Sequence, residues 1–380
     1  VGFMLGTGGS ALVAKTLGEQ DTDRANRYFS MIIWVTVIVG AVLSVIGIAV
    51  IRPVSILLGA DEGMLPDCVL YGSIMMGFTI TFMFQNAFQA FLITAERPSL
   101  GLAATIAAGI SNMVLDALFI AVFDWGVAGA AVATGLSQCV GGVIPLIYFL
   151  RPNTSLLRLK RTKLEIRPII NACANGASEM VSSVTSSVVG ILYNLQLLQY
   201  AGENGVASYG VLMYVQFVFA AIFLGYSMGS APIISYHYGA EKHGELKNLF
   251  QKSVVLMGTI GGGMVVAAQL FAVPLSRLFV GYDATLFEMT VHAIRIAGVS
   301  FLIMGFNIFA SAFFTALNNG GVSAVISFLR TFVFKLAAVL LLPLLLGLEG
   351  IWWAEVTAEI SAFVLSLIFL FINRKKYHYV

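Results

Sequence analysis

Few residues in this chain could do chemistry, and the most specific set lies in the stretch "SNMVLDALF". It places Asn112 and Asp116 four residues apart, on one face of a helix. Thr134 follows on the next apolar segment. A carboxylate, an amide oxygen and a hydroxyl at one depth could hold a hard cation, and a desolvated carboxylate could carry a proton instead. The same three groups could also form a polar bridge between neighbouring helices. Glu179 sits near the middle of another apolar run, close to Ser178, Ser182 and Ser183. It either faces a cavity and meets a cationic ligand, or it binds these serines. Arg330 and Lys335 on one run face Glu355 and Glu359 on the next. These four read as buried ion pairs, with a part in proton relay as the alternative, and Lys335 and Glu359 are the closest in estimated depth. Arg295 has no evident partner, and His237 reads as a structural residue at a helix end.

A different chemistry is spelled by "FLGYSMGSAPII", where Gly225-x-Ser227-x-Gly229 matches the elbow that carries a nucleophilic serine in many hydrolases. That elbow requires a strand, a sharp turn and a helix. Ser227 instead lies inside one long apolar run, and Asp283 and His292, although in triad order, fall in and after a distant loop. Gly225 and Gly229 are also spaced for close helix approach in lipid, as are Gly258 and Gly262, so the sequence predicts packing seams there. No His-Glu-x-x-His motif and no nucleotide-binding loop is present, so neither ATP nor nucleic acid is an expected partner.

The elements that must position these residues follow from composition. Of 380 residues, 59% are hydrophobic and only 11% charged, and the mean hydropathy is +0.91. A soluble domain carries about 25% charged residues, so the solvent of this chain is mostly lipid. Apolar runs of the length that crosses a bilayer fall near 27–51, 67–94, 99–123, 126–150, 168–199, 206–236, 248–272, 285–317, 321–346 and 350–373. Residues 1–17 read as the end of a further span. At about 1.5 Å per residue, Asp116 and Thr134 lie roughly 10 Å and 12 Å below the outer boundary. Sustained strand alternation is absent, which argues against a β-barrel. Cys68, Cys139 and Cys173 lie in or beside apolar runs without paired or metal-like spacing and read as packing residues.

Basic residues set the expected orientation. The linker "RPNTSLLRLKRTKLEIRP" holds six Lys or Arg against Glu165, which predicts a cytoplasmic loop. Alternation from there places Lys15, Arg24, Arg27, Arg97, Lys242, Lys247, Lys252 and the tail Arg374, Lys375 and Lys376 on the same side. Only Arg52 and Arg277 fall in the opposite loops.

Sliding the chain on itself by about 221 residues exposes a repeat. "GGSALVAKTLGEQ" meets "GSAPIISYHYGAE", "AFLITAERP" meets "AFFTALNNG", and "GVAGAAVA" meets "GLEGIWWA". A shift of six spans keeps orientation, so the expected fold is an all-α polytopic membrane protein of two six-helix bundles related by a pseudo-two-fold axis along the membrane normal. The first helix is expected to be absent from this chain. The expected organisation is an N-terminal lobe over 1–150, a basic linker over 151–167, a C-terminal six-helix lobe over 168–373 and a tail over 374–380.

These stretches resemble the bacterial multidrug and toxic compound extrusion (MATE) transporters. The resemblance rests on "LGTGGSALVAKTLGEQDTDRA", on "NMVLD" followed by "DWGVAGAAVATGLSQ", and on "GLEGIWWAEVTAE", in that order along essentially the whole chain. It implies two lobes around a central cavity and a secondary active transporter, not an enzyme, in the inner membrane. Such a protein exports small cationic or amphipathic molecules in exchange for H⁺ or Na⁺, without a further cofactor, and the expected state is a monomer. The family uses an Asn and an Asp on its fifth helix and a Thr on its sixth for the coupling cation; Asn112, Asp116 and Thr134 match them, and Na⁺ there is the one metal expected. A family Asp on the first helix has no counterpart here. A flippase for lipid-linked sugars shares the architecture but should carry unpaired cations in its cavity; a membrane-embedded enzyme is the remoter alternative, and nothing resembles the selectivity filter of a channel.

Overall fold

The computed structural model describes residues 1–57 and 60–379; Val380, the last residue of the expected tail, lies outside them. The described residues form helices and no strand. Apolar side chains in lipid leave the backbone no partner but itself, and the helix satisfies it within one segment. The chain divides into two compact units, Val1–Gly176 and Ala177–Val380.

The first unit contains α1 (Gly2–Gly18), α2 (Thr22–Leu57), α3 (Leu65–Gly77), α4 (Thr79–Thr94), α5 (Pro98–Asp116) and α6 (Gly126–Leu150), and the start of α7 (Ile166–Gly239). The second holds the rest of α7, then α8 (His243–Val280), α9 (Ala284–Val299), α10 (Phe301–Ala316), α11 (Gly320–Phe328), α12 (Lys335–Leu346) and α13 (Leu348–Tyr377). α7 is 74 residues long but breaks at Gly202, whose φ of 62° lies in the left-handed region that favours glycine. It therefore forms two arms, 166–201 and 203–239, each long enough to cross a bilayer. Pairs α3–α4 and α9–α10 bend by 51° and 50° at Phe78 and Ser300.

The sequence repeat is also a repeat of conformation. Residues with positive φ stand at helix boundaries at Gln20 and Glu241, at Glu96 and Asn318, and at Gly126 and Gly347. Each pair is separated by the shift found in the sequence. The two bends also recur at this interval, so turns and kinks that no single propensity dictates appear at matching places in both halves.

Each unit has its own core. In the first, Phe29 meets Phe91 and Phe149 edge-on at 4.9 and 4.8 Å, and Phe88 stacks on Phe149 at 5.7 Å. In the second, Phe223, Phe301, Phe313 and Phe314 are fully buried.

Close helix approach occurs where the two-residue pattern did not place it. A Cβ on Gly225, Gly229 or Gly262 would meet no atom within 4 Å, and one on Gly258 only the end of Phe306. The inward face of that arm is set by Phe223, Ser227 and Ile234; Gly225 and Gly229 lie off it, so no seam forms at them within the second unit. The real crossing joins α1 to the start of α7. A Cβ on Gly8 would lie 2.0 Å from the Ala172 carbonyl oxygen, and one on Gly176 would lie 2.0 Å from that of Met4. This crossing holds residues 166–176 to the first unit and places the boundary inside α7.

Candidate functional site

In the first unit, Pro98 opens α5 at a position where its missing N–H is not needed. The helix carries Asn112 and Asp116 on one face and ends at Asp116, where a π-helical segment, Ala117–Val122, begins. π-Bulges interrupt the regular ladder and recur at functional sites. The following hairpin is fixed by aromatics: Trp125 stacks on Phe119 at 4.9 Å and packs against Phe123 at 5.6 Å. Left-handed Asp124 and Gly126 turn the chain into α6.

Several polar groups on the packed pair α5 and α6 lack partners. Asp116 is half-buried and makes no hydrogen bond or ion pair with a described residue. The Asn112 amide nitrogen and the Gln138 Oε1 are buried and unpartnered. Thr134 lies one turn before Gln138 on α6; its carbonyl accepts from Ser137 Oγ at 2.7 Å, and its own hydroxyl bonds no described residue. Unpaired polar groups in a lipid environment are costly unless water, a proton or an ion satisfies them. Among the described residues no cluster of three His, Cys, Asp or Glu is placed to hold a metal ion, so a cation here would rely on mixed neutral oxygens and one carboxylate.

In the second unit a π-helical segment, Leu329–Phe334, carries Arg330. Its Nε donates to both Glu359 carboxylate oxygens at 2.9 and 3.0 Å, and its Nη2 lies 2.8 Å from Oε1. Glu359 is fully buried. Asn307 of α10 completes its shell, with Nδ2 donating to Glu359 Oε2 at 2.7 Å and to the Glu359 carbonyl at 2.9 Å. Ser366 Oγ then donates to Asn307 Oδ1 at 3.2 Å. Lys335 Nζ donates to Glu355 Oε1 at 2.8 Å. Beside these pairs Thr185 and Thr331 share a hydrogen bond of 2.6 Å, and Tyr193 stacks on Tyr209 at 4.9 Å.

Depth counting favoured Lys335 with Glu359, and the structure pairs them otherwise. Gly350 packs directly on the Leu342 carbonyl, which brings the start of α13 close against the end of α12. Arg330 has Glu359 as its nearest acid and takes it, leaving Glu355 for Lys335.

Glu179 is half-buried on α7, and its carboxylate makes no hydrogen bond with a described residue. Ser183 donates to its carbonyl, and Ser178 lies 3.5 Å from Thr315, so neither serine engages the acid. It lies within electrostatic reach of Arg330. With Arg330 and Lys335 each matched by an acid, Glu179 is the carboxylate left over.

Other candidates resolve simply. Ser227 is buried inside α7 with an unpartnered hydroxyl and neither a strand nor a turn around it. His292 pairs with Glu349, Nε2 lying 2.8 Å from Oε1, and has no serine partner. Asp283 caps α9 by accepting from the Leu286 N–H. Arg295 lends its carbonyl to Gln269 and lines, with Glu288 and His292, a cavity of about 320 Å³. The His237 Nδ1 is buried. Cys68, Cys139 and Cys173 are free thiols. Asn307 was not singled out in sequence, although an amide inside "FLIMGFNIFASAFF" is itself a signal.

The fold has known counterparts. The multidrug export protein MepA of Staphylococcus saprophyticus is 25% identical, the match covering 99% of this chain and 83% of that protein. Among solved structures, a multidrug resistance MATE family transporter of the MOP superfamily in an outward-facing conformation superposes with a TM-score of 0.93 at 20% identity, covering 100% of this chain and 85% of the other. A MOP superfamily transporter from Pyrococcus furiosus, reported to have a binding pocket of reversed polarity suggesting a different function, superposes at 0.90 with 20% identity over 99% and 85%. The MatE family model matches residues 1–118 and 180–341. With well over half of its residues matched, in both units, this chain is a multi-pass membrane protein that belongs to the MatE family of transporters.

Proposed function

We propose that the protein exports small cationic or amphipathic molecules in exchange for H⁺ or Na⁺ by alternating access. The observation that carries this reading is the set of unpartnered polar groups on the packed pair α5 and α6, with Asp116 at the point where the π-helical segment begins. Asn112, Asp116 and Thr134 take the coupling cation: the carboxylate supplies charge, the amide and hydroxyl supply neutral oxygens. Glu179 supplies the unmatched negative charge that attracts a cationic substrate. The multidrug export named for the staphylococcal relative supports the substrate class. The linker and the tail after α13 are cytoplasmic, following the excess of Lys and Arg on that side.

A lipid-linked sugar flippase would need free cations for a pyrophosphate. The pairing of Arg330 with Glu359 and of Lys335 with Glu355 weighs against it.

The test is efflux of a fluorescent cationic dye from proteoliposomes, with H⁺ and Na⁺ gradients imposed separately. Export driven by one gradient identifies the ion. Absence of export under both, with the protein demonstrably folded and inserted, overturns the reading.

A further inference from the structure

The linker between α6 and α7 is a shaped strap. The Asn153 amide donates to the Tyr148 and Arg151 carbonyls at 3.2 and 3.1 Å, while its Oδ1 accepts from the Ser155 N–H and hydroxyl at 3.0 and 2.7 Å. Further along, the Arg158 N–H donates to Asn26 Oδ1 at 2.6 Å and the Lys160 N–H to Ser30 Oγ at 2.8 Å, both acceptors being buried on α2. Leu157 is fully buried beneath it.

This strap and the end of α6 border an open cleft of about 450 Å³ lined by Phe149, Leu150, Arg151, Thr154, Arg158 and Leu159 among others. No acid lines it. A third guanidinium arrives from the turn before α5, where Arg97 Nη2 donates to Thr154 Oγ1 at 2.8 Å. Three other cations of this face are paired with acids: Lys15 with Glu19, Arg24 with Glu19 and Asp21, and Lys160 with Asp23. Arg97, Arg151 and Arg158 form no ion pair with a described residue. Leu150, at 65% exposed, marks where the apolar span gives way to the basic strap.

We propose that this cavity binds the phosphate headgroup of an anionic membrane lipid, with the arginines on the phosphate and Leu150 and Leu159 against the first acyl carbons. Guanidinium forks match phosphate oxygens in pairs, and basic pockets at the ends of membrane helices suit such headgroups. The volume falls within the range of small-ligand sites. The assignment rests on this end of α6 lying at the membrane surface, not on the coupling mechanism, so it stands or falls separately from ion-driven export.

The test titrates the full chain, purified in neutral detergent, with phosphatidylglycerol and reads lipid adducts by native mass spectrometry. The double variant Arg151→Gln/Arg158→Gln should weaken the tightest adduct by roughly 25-fold, about fivefold per guanidinium. Arg161→Gln/Lys163→Gln removes the same charge from the same linker outside the cavity and should change it little. Equal losses in the two variants would mean diffuse attraction and overturn the site. Thr154→Trp, which fills the cavity and keeps every charge, should also abolish the tight adduct; retention overturns the proposal even if the glutamine variant does not fold. Phosphatidylcholine and glycerol 3-phosphate should both bind far more weakly. Equal binding of glycerol phosphate would assign the site to a soluble anion, and equal binding of phosphatidylcholine would remove the charge requirement; either overturns the assignment.

Discussion

Arg330 holds Glu359 with two of its guanidinium nitrogens, on a π-helical segment facing α13, and Asn307 donates to the same carboxylate from a third helix. The acid is fully buried. Three helices of the second unit therefore share one charge, and the π-helical segment is where the regular ladder yields to let the arginine reach it.

Removing one member of this pair should be far worse than removing both. Glu359→Gln leaves an uncompensated buried guanidinium and should cost about 3–5 kcal/mol. The double variant Arg330→Met/Glu359→Gln should recover most of that loss. Thermal unfolding of the purified protein measures both; additive losses would show that the pair does not act as a unit. Asn307→Ala should cost less, about 1.5–3 kcal/mol, as expected for one hydrogen bond to a charged group.

Asp116→Asn keeps the shape of the side chain and removes its charge, so ion-driven dye export should fall to the uncoupled background while melting behaviour is unchanged. Thr134→Ala removes one neutral oxygen and should weaken the dependence on the coupling ion by a few-fold, matching about 0.5–1.5 kcal/mol for a single neutral contact. Gradient-driven transport in proteoliposomes measures both. Wild-type coupling in Asp116→Asn would remove this residue from the ion pathway.

Glu179→Gln tests the leftover charge. A carboxylate about 8 Å from a bound cation at an effective dielectric near 20 contributes about 2 kcal/mol. KM for a monocationic dye should therefore rise roughly tenfold or more, with kcat little changed. A neutral amphipathic substrate is the control and should show no shift; an equal rise for both would mean that Glu179 shapes the cavity and does not read charge.

Most of the helical layout was legible because lipid makes composition decisive: a run of twenty apolar residues has few other fates. The repeat was legible for the same reason, and the left-handed residues at Glu96 and Asn318 lie inside the stretches that first revealed it. What sequence could not supply was register. Depth counting cannot separate Glu355 from Glu359 as the partner of Lys335, and Arg330, by occupying Glu359, leaves Glu355 for the lysine. The π-helical segments were equally hidden, since "ALFIAV" and "LRTFVF" carry no signal that separates them from α-helix. Glycine spacing misled for a related reason: a Gly-x-x-x-Gly pair says that close approach is possible, not which face another helix occupies.

That distinction predicts opposite outcomes for the same substitution. Gly8→Ala or Gly176→Ala places a Cβ within 2.0 Å of a backbone oxygen that cannot yield without moving a helix. Each should destabilise by about 1–3 kcal/mol or more, as overpacking does. Gly225→Ala and Gly229→Ala meet open space within their own unit and gain helix propensity of up to about 1 kcal/mol. They should melt at or above the wild-type temperature. A loss at Gly225 or Gly229 comparable to that at Gly8 would show that some further surface closes on this arm, and dye export by these two variants would then tell packing from passage. Full export with raised stability confirms an unoccupied helix face, whereas lost export with unchanged melting means that the added methyl obstructs the transport path.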